Sequence, residues 1–241
     1  MLSEPVRKRS VASNEEIWPP LKILELAKLA YEYPFYADTV RLSYATLICL
    51  LYLGALRINE ALRLYPLQFK RKLSLDKKEF FVVENVPVEK SGGKVRNVAI
   101  CPSDPLARVM EAHLKNIEGK DRLFTFTRMT AWNIVNLASG GDGKQKKGEA
   151  WPHFFKAQRD RFLAQAFDAD ERRRIVGWSR TEYKPGQSFR STEERYSGLN
   201  WMFYADRLAK LTESYWQSET ISPAIKSWLD SLSIIPTTPT T

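Results

Sequence analysis

Apolar residues recur at helical spacing in the first part of the chain. This spacing predicts one helix over 21–33 and a second, more hydrophobic helix over 37–54. The apolar run 42–56, which begins in the second stretch, is too short to span a bilayer and is typical of a buried core helix. Gly54 interrupts the pattern, and a third, short helix is predicted through 59–62.

The middle of the chain changes to a strand pattern. Aromatic and β-branched residues fill 80–83, and apolar and polar residues alternate over 95–100. Serine and glycine at 91–93 supply a turn between them. The pattern therefore predicts a small antiparallel sheet within 66–100.

Helical spacing returns after the sheet and continues to the end of the chain. Helices are predicted at 105–117, 127–138, 153–168, 170–177, 193–211 and 223–232. The glycine- and lysine-rich segment 139–148 and the segment 179–190 are predicted loops. The sequence thus predicts an α+β fold that is mainly α-helical, with helices around a small antiparallel β-sheet.

These elements form one large domain with shorter segments at both ends. We predict a flexible basic tail at 1–16, a single domain over 17–215, a C-terminal helical segment over 216–235 and a disordered tail at 236–241. In the C-terminal segment, Ile225, Trp228 and Leu232 share one helical stripe. That stripe would pack either on the chain's own core or on a neighbouring protomer.

Composition adds an excess of basic residues to this outline. Lysine and arginine number 37 against 28 aspartates and glutamates, which gives a formal net charge of +9. Such a surface attracts polyanions, and nucleic acid, acidic proteins and anionic lipid all fit.

Cysteine and histidine usage argues against a disulfide framework and a metal site. Cys49 and Cys101 are interpreted as two reduced structural thiols in a reducing, cytoplasmic compartment, since the N-terminus lacks a secretory signal. The two histidines have no metal-ligand spacing, so we expect neither a metal nor another cofactor.

Two segments with candidate chemistry lie before and within the predicted sheet. Arg57 and Glu60 are three positions apart and share one helical face directly after the core run. The segment 89–100 is a basic hairpin that carries Lys90, Lys94 and Arg96, and such hairpins fit along a nucleic-acid groove. The simpler interpretations are a local ion pair and a solvated turn.

Two further segments lie in the second half of the chain. Pro152 begins a helix and places His153 in its first turn, where the positive helix end favours a phosphate. The segment 191–196 is a capped helix start that ends in Tyr196. An ordinary helix N-terminus and a core tyrosine are the simpler alternatives.

Taken in order, these segments resemble the catalytic domain of the tyrosine recombinases, the phage-integrase and Xer family, from about residue 20 to 215. Leu-Gly-Ala-Leu-Arg-Ile-Asn-Glu-Ala-Leu is similar to that family's first arginine motif, and the hairpin is similar to the turn that carries its catalytic lysine. Pro-His-Phe-Phe resembles the start of the His-x-x-Arg box, and Gly-Trp-Ser resembles the Gly-His box with tryptophan in place of histidine. Thr-x-x-Arg-Tyr resembles the nucleophile motif.

The resemblance implies an enzyme that cleaves and rejoins DNA strands through a 3′-phosphotyrosine intermediate without a metal. The implied catalytic residues are Arg57 with Glu60 as its acidic companion, Lys90 with Lys94 as runner-up, His153, Lys156, Trp178 and Tyr196. The residues expected to contact DNA are Lys94, Arg96, Lys144, Lys146 and Lys147. The implied partners are double-stranded DNA and further copies of the chain, as a dimer or tetramer on DNA, in a mobile element, virus or archaeal-type system.

Three departures from the family pattern keep other interpretations open. Lys156 stands where the family has its second arginine, and Arg159, one turn further, is a candidate substitute. The stretch between Trp178 and Tyr196 is longer than usual and contains a second tyrosine, Tyr183. Only about 20 residues precede the first helix, too few for the family's DNA clamp, so weak and salt-dependent binding is expected.

The first alternative is a recombinase-fold protein that binds DNA without catalysis. The second is a basic helical DNA-binding protein unrelated to recombinases.

Overall fold

The computed structural model describes residues 17–33, 38–88, 95–142, 147–177 and 201–232. Within these ranges the protein is mainly helical and contains one three-stranded antiparallel sheet, which confirms the predicted fold class. The helices are α1 (Pro20–Tyr31), α2 (Asp38–Leu53), α3 (Ile58–Leu62), α4 (Pro105–Asn116), α5 (Arg128–Ala138), α6 (Pro152–Leu163), α7 (Ala169–Val176), α8 (Trp201–Ser218) and α9 (Pro223–Leu232). The strands are β1 (Phe69–Leu73), β2 (Glu79–Pro87) and β3 (Val95–Ile100), and a short 3₁₀ turn, Pro66–Gln68, precedes β1.

Helix α2 is the centre of the main core. Its residues from 44 to 53 are buried on every side, as expected for a helix that is apolar all round. It packs against α1, α4, α5 and α6 and ends at Leu53. That end leads directly to the turn before Arg57.

Most of β2 and the end of β3 are covered on both faces, whereas the edge strand β1 is partly exposed. The strand order of the sheet is β1-β2-β3, and Phe81 on β2 and Ile100 on β3 belong to the main core. Phe80 and Ala99 face the other way, into a second core formed with α8, which includes Tyr204. Burial on both faces explains why β2 is a continuous apolar run rather than an alternating one.

A β-bulge divides the hairpin formed by β2 and β3. The pairing register shifts between Val83 and Val86, and Asn85 adopts a left-handed conformation with φ of 52°. The Asn85 backbone N–H donates to Asn97 Oδ1 at 3.0 Å, which fixes the bulge across the two strands. Beyond the bulge, Arg96 lies opposite Val86.

Two predicted helix ends differ from the structure. Helix α6 ends at Leu163 rather than 168, because Asp168 caps α7 by accepting hydrogen bonds from the backbone N–H groups of Asp170 and Glu171. Helix α8 runs to Ser218 instead of 211, so the predicted domain boundary at 215 falls inside a continuous helix. The part of that prediction over 193–200 lies outside the described residues.

Helix α9 packs on the chain's own core. Ile225, Trp228 and Leu232 are all buried in the main core, against α4 and α1. The rings of Trp228 and Tyr31 are 5.7 Å apart. Of the two arrangements predicted for this stripe, the structure of the single chain has the one within the chain.

Both cysteines are free and buried, and burial raises the pKa of each thiol. Among the described residues, no group of three or more His, Cys, Asp or Glu side chains is placed to hold a metal ion. None of the helices in the described part of the chain is long and apolar enough to cross a membrane.

Candidate active site

Arg57 is held by a buried carboxylate three residues further along the chain. It is the N-cap of α3, in an extended conformation with φ of −76° and ψ of 155°. Glu60 Oε1 accepts a hydrogen bond from Arg57 Nη1 at 3.0 Å, and Oε2 accepts one from the Arg57 backbone N–H at 2.9 Å. The Glu60 side chain is 2% exposed and that of Arg57 is 18% exposed. The carboxylate therefore orients both the backbone and the guanidinium of Arg57 while part of the side chain stays accessible.

Arg96 lies buried beside this pair. Its Nη2 donates to the carbonyl oxygens of Gly54 at 2.7 Å and Ala55 at 3.2 Å, and its Nη1 donates to the carbonyl oxygen of Ile175. Burial lowers the pKa of Arg96; the negative charge of Glu60 opposes this effect. The guanidinium is thus engaged with main-chain oxygens inside the protein.

Lys156 brings a third cationic side chain to the same place from α6. It is 2% exposed, and its Nζ donates to the carbonyl oxygen of Gly177 over a long distance of 3.5 Å. Burial lowers the pKa of Lys156 to about 7, and repulsion from Arg96 and Arg57 adds to the shift while Glu60 opposes it. The ammonium group therefore lies in the field of the other three side chains.

Arg57, Arg96 and Lys156 around Glu60 form what we name the cationic cluster. It combines three basic groups with one carboxylate, so its net charge is positive even when Lys156 is neutral and increases when Lys156 is protonated. Fixed cationic donors in a partly buried place stabilise oxyanions, and guanidinium groups bind phosphate oxygens in pairs. The arrangement suits a phosphate group that approaches from the accessible side of Arg57.

No protein-family model and no curated protein matches the chain. Solved structures do match. A Flpe mutant in complex with a DNA Holliday junction aligns with a TM-score of 0.50 and 11% identity over 81% of this chain and 52% of that chain. An FLP recombinase–Holliday junction complex aligns with a TM-score of 0.50 and 12% identity over the same shares of the two chains.

This chain has the tyrosine-recombinase fold. It spans about half the length of the recombinase chains that it matches. Because the identity is low, the likeness establishes the fold and leaves the chemistry to the residues themselves. Within the recombinase fold, the cationic cluster joins three of the four sequence segments with candidate chemistry, through Arg57 with Glu60, through Arg96 and through Lys156.

His153 lies at the beginning of α6, three residues before Lys156 and thus on the same side of the helix. Its side chain is exposed, and Pro152 at the first helical position leaves the positive helix end open at this point. The position allows a phosphate or a proton to reach the imidazole from solvent.

Arg159 occupies a different environment from the one expected for a substitute phosphate ligand. It is 3% exposed, and its guanidinium carbon lies 5.2 Å from the ring centroids of both Tyr52 and Phe162. Burial raises the pKa of Asp104 to about 6, and the positive charge of Arg159 opposes this shift. Arg159 therefore belongs to a buried polar group with Tyr52 and Asp104, and its role as a substitute for the second arginine stays a prediction.

Arg96 is also placed differently from the prediction, which put it among the DNA-contacting residues. The structure buries it at 6% exposure and ties its guanidinium to main-chain carbonyls. The alternation of side chains along β3 could have predicted this burial, since Arg96 shares its face of the strand with the core residues Val98 and Ile100.

Several predicted site residues lie outside the described residues: Lys90, Lys94, Lys144, Lys146, Trp178 and Tyr196. The alternative nucleophile Tyr183 also lies outside them. Lys147 is described and exposed, in the connection that leads to α6.

Proposed function

We propose that this chain is the catalytic domain of a site-specific DNA recombinase or integrase of the tyrosine type. It would cleave and rejoin DNA strands through a 3′-phosphotyrosine intermediate. The observation that carries the proposal is the cationic cluster of Arg57, Arg96 and Lys156 around Glu60 in a chain with the recombinase fold. The matched solved structures are complexes with DNA Holliday junctions, which supports double-stranded DNA as the substrate.

The proposed cleavage step is a displacement at phosphorus. The Tyr196 hydroxyl attacks the scissile phosphate, the bond from phosphorus to the 5′-oxygen breaks, and a free 5′-hydroxyl leaves. Negative charge grows on the non-bridging oxygens, where Arg57 and Lys156 donate hydrogen bonds. The attack of the free 5′-hydroxyl of another strand on the phosphotyrosine reverses the step and rejoins the DNA, so the bond energy is conserved.

Three further side chains complete the proposed site. Lys90, with Lys94 as the alternative, gives a proton to the leaving 5′-oxygen. His153 takes the proton of the tyrosine and returns it during rejoining. Trp178 donates its indole N–H to a non-bridging oxygen.

Self-association on DNA belongs to the same proposal. Strand exchange requires two sites on each of two duplexes, so copies of the chain would assemble as dimers or tetramers on DNA. Exposed lysines such as Lys147 would contact the phosphate backbone around the site.

A suicide substrate tests the proposal directly. The protein is incubated with nicked duplex DNA that carries the target site, and a denaturing gel is used to detect a covalent protein–DNA adduct. We expect an adduct with the native chain, no adduct with Tyr196→Phe, and an undiminished adduct with Tyr183→Phe. Selection from a pool of duplexes identifies the target site beforehand.

The controls separate the assignment of the nucleophile from the proposed chemistry. An adduct that survives in Tyr196→Phe overturns Tyr196 as the nucleophile. DNA binding to the selected site without any adduct overturns the enzyme. That result favours the second candidate function, a recombinase-fold protein that binds DNA without cleaving it.

The second candidate rests on Lys156. An ammonium group lacks the planar fork that binds two phosphate oxygens at once. With a pKa of about 7, Lys156 is also only partly protonated near neutral pH. A bound phosphate stabilises the ammonium form. The catalytic proposal therefore requires that Lys156 becomes fully protonated when the DNA phosphate binds.

A further inference from the structure

Arg96 connects three parts of the chain that are far apart in sequence. From β3 it reaches the carbonyls of Gly54 and Ala55, 42 and 41 residues away, and the carbonyl of Ile175, 79 residues away. Gly54 and Ala55 follow the end of α2, and Ile175 lies in the last turn of α7. One guanidinium thus binds the C-terminal ends of two helices, where carbonyl oxygens concentrate negative partial charge.

The two segments that Arg96 joins both lead to predicted catalytic residues. Gly54 and Ala55 precede Arg57 by three and two positions, and Ile175 precedes Trp178 by three positions. We name them the two bridged segments, 54–55 and 175–177. Each also places an apolar side chain, Ala55 or Val176, in the second core beside α8. The Arg96 hydrogen bonds therefore set the orientation of segments whose apolar anchors are already buried.

Gly177 shows how closely the chain passes over Arg96. Its φ of 68° is left-handed, and a Cβ at this position would lie only 2.7 Å from Arg96 Nε. The carbonyl of the same residue accepts the hydrogen bond from Lys156. The last described residue before Trp178 is thus held between Arg96 and Lys156.

Arg96 is also unable to act as a DNA ligand in this arrangement. It is 6% exposed, and its two terminal nitrogens donate to three carbonyl oxygens. A phosphate contact would require these bonds to break and two helix ends to lose their partner. The cost of leaving buried carbonyls unpaired opposes that change.

We propose that Arg96 is a positioning residue of the proposed cleavage site, which holds the turn before Arg57 and the helix end before Trp178 in one arrangement without touching DNA. This role rests on the proposed function, and it gives Arg96 a part in catalysis in place of the DNA contact that the sequence predicted. It explains why an arginine occupies an inward position of β3 next to Val98 and Ile100. A lysine there would keep the charge but lose the planar fork that serves two segments at once.

The test compares Arg96→Lys with the native chain and with the control Arg71→Lys. Arg71 lies exposed on β1 of the same sheet and pairs with Glu79 and Glu111. In single-turnover cleavage at saturating DNA, we expect Arg96→Lys to lower the rate by about 10²-fold through misplacement of the reacting groups. The dissociation constant for DNA should stay within about twofold, because no phosphate contact is lost. Arg71→Lys should change neither quantity.

Chemical rescue distinguishes positioning from a general loss of structure. Methylguanidinium added to Arg96→Ala should fill the vacated position and restore part of the cleavage rate. A fall in rate, affinity and melting temperature together, without rescue, would overturn the proposal in favour of a purely structural role. A DNA-binding salt slope that decreases by about 1 in Arg96→Lys would also overturn it, since that is the sign of a lost phosphate contact.

Hydrogen exchange tests the bridge independently of cleavage. The backbone N–H groups of Gly54, Ala55 and Gly177 donate to Leu50, Tyr52 and Arg174, so they are protected in the native chain. We expect faster exchange in both bridged segments of Arg96→Lys and no change there in Arg71→Lys. An unchanged exchange pattern overturns the positioning role whether or not the native chain cleaves DNA. Failure of the native chain to form an adduct overturns the proposed function instead, and the exchange result still decides the bridge.

Discussion

Lys156, a lysine buried beside two arginines, carries the least well stabilised charge of the cationic cluster. Lys156 makes one long hydrogen bond to Gly177, and its only opposing charge within the cluster is Glu60, which Arg57 already engages. Burial of a charge without a close partner costs free energy, and the pKa of about 7 reflects that cost. An anion that binds beside Lys156 would therefore stabilise its ammonium form.

The titration of Lys156 predicts how folding stability changes with pH. Its pKa falls from 10.5 to about 7 on folding, so between these values the unfolded chain binds a proton that the folded chain does not. The free energy of unfolding should therefore rise with pH across this window, by up to about 1.4 kcal/mol per pH unit from this group. Below pH 7 both states are protonated and the full penalty for the buried charge is present.

Lys156→Met should remove this penalty. We expect the variant to be more stable than the native chain at pH 6, by about 1–4 kcal/mol, with a difference that shrinks towards pH 9. Urea unfolding at several pH values measures the effect, and Lys210→Met on the exposed side of α8 is the control. Parallel pH curves for the native chain and Lys156→Met would contradict the prediction.

Spacing within one helix was enough to predict part of the cationic cluster. The three-residue separation of Arg57 and Glu60 indicated a pair on one face, and the structure has that ion pair at 3.0 Å. The inward position of Arg96 was missed, because the lysine-rich hairpin was interpreted as one exposed basic unit. The partners of Arg96 are main-chain carbonyls 41 to 79 residues away, and no local pattern reveals such contacts.

At the scale of the elements, the residue that ends α7, Gly177, is subject to two constraints, one on its backbone conformation and one on its packing. Gly177 closes the helix in a left-handed conformation, which glycine adopts without strain. It also lies against the Arg96 side chain, where a Cβ would meet Nε at 2.7 Å. The residue is thus constrained by the backbone and by a tertiary contact at the same time.

Gly177→Ala separates these two constraints when it is compared with Gly119→Ala. Gly119 has a φ of 80°, but nothing lies within 4 Å of its would-be Cβ. We expect Gly119→Ala to lower the free energy of unfolding by about 1–2 kcal/mol through backbone strain. Gly177→Ala should cost about 1–3 kcal/mol more, because Arg96 must move.

Urea unfolding of both variants measures this difference. In an Arg96→Ala background the excess cost at Gly177 should disappear, because the atom that the new methyl group meets is gone. Equal losses for the two alanine variants would contradict the contact between Gly177 and Arg96.

Helix ends with strong chemical signals were predictable from the sequence, and others were not. Pro105 and Pro223 mark the beginnings of α4 and α9, which match their predicted positions. The C-terminal end of α6 was placed five residues too late, because helical spacing continues through Phe167 although Asp168 caps the next helix. Helix α8 extends past 211 because Tyr215 packs on Phe162 of α6, a tertiary contact that the spacing does not record.

At the scale of the whole molecule, α9 closes the main core. Trp228 is buried against α1, and its indole Nε1 has no hydrogen-bond partner among the described residues, so within that part of the chain it contributes by packing. The amphipathic stripe could be predicted from the sequence, but its packing partner could not. Both candidate partners are apolar surfaces, and apolar attraction has no direction that a sequence pattern would encode.

Trp228→Ala should lower the free energy of unfolding by about 3–5 kcal/mol, the usual cost of removing a buried aromatic side chain. The loss should not depend on protein concentration, because the contact lies within one chain. Phe203→Ala provides the control, since that aromatic ring is 66% exposed on α8 and should cost less than about 0.5 kcal/mol. A loss that shrinks on dilution would show that α9 instead packs on a second copy, because dilution removes that partner from the native chain.

The burial of β2 and β3 on both faces affects the order in which the protein folds. The Ala99 backbone N–H donates to Tyr204 Oη, 105 residues further along the chain, and Leu21 donates to Tyr215 Oη across 194 residues. Contacts over such separations form slowly, because long loops must close before they contribute. During synthesis, the face of the sheet that carries Phe80 and Ala99 can therefore be fully covered only after α8 has left the ribosome. Until then only the earlier residues of the second core, such as Leu163 and Val176, can cover this face, so part of its apolar surface stays exposed and open to association with a chaperone.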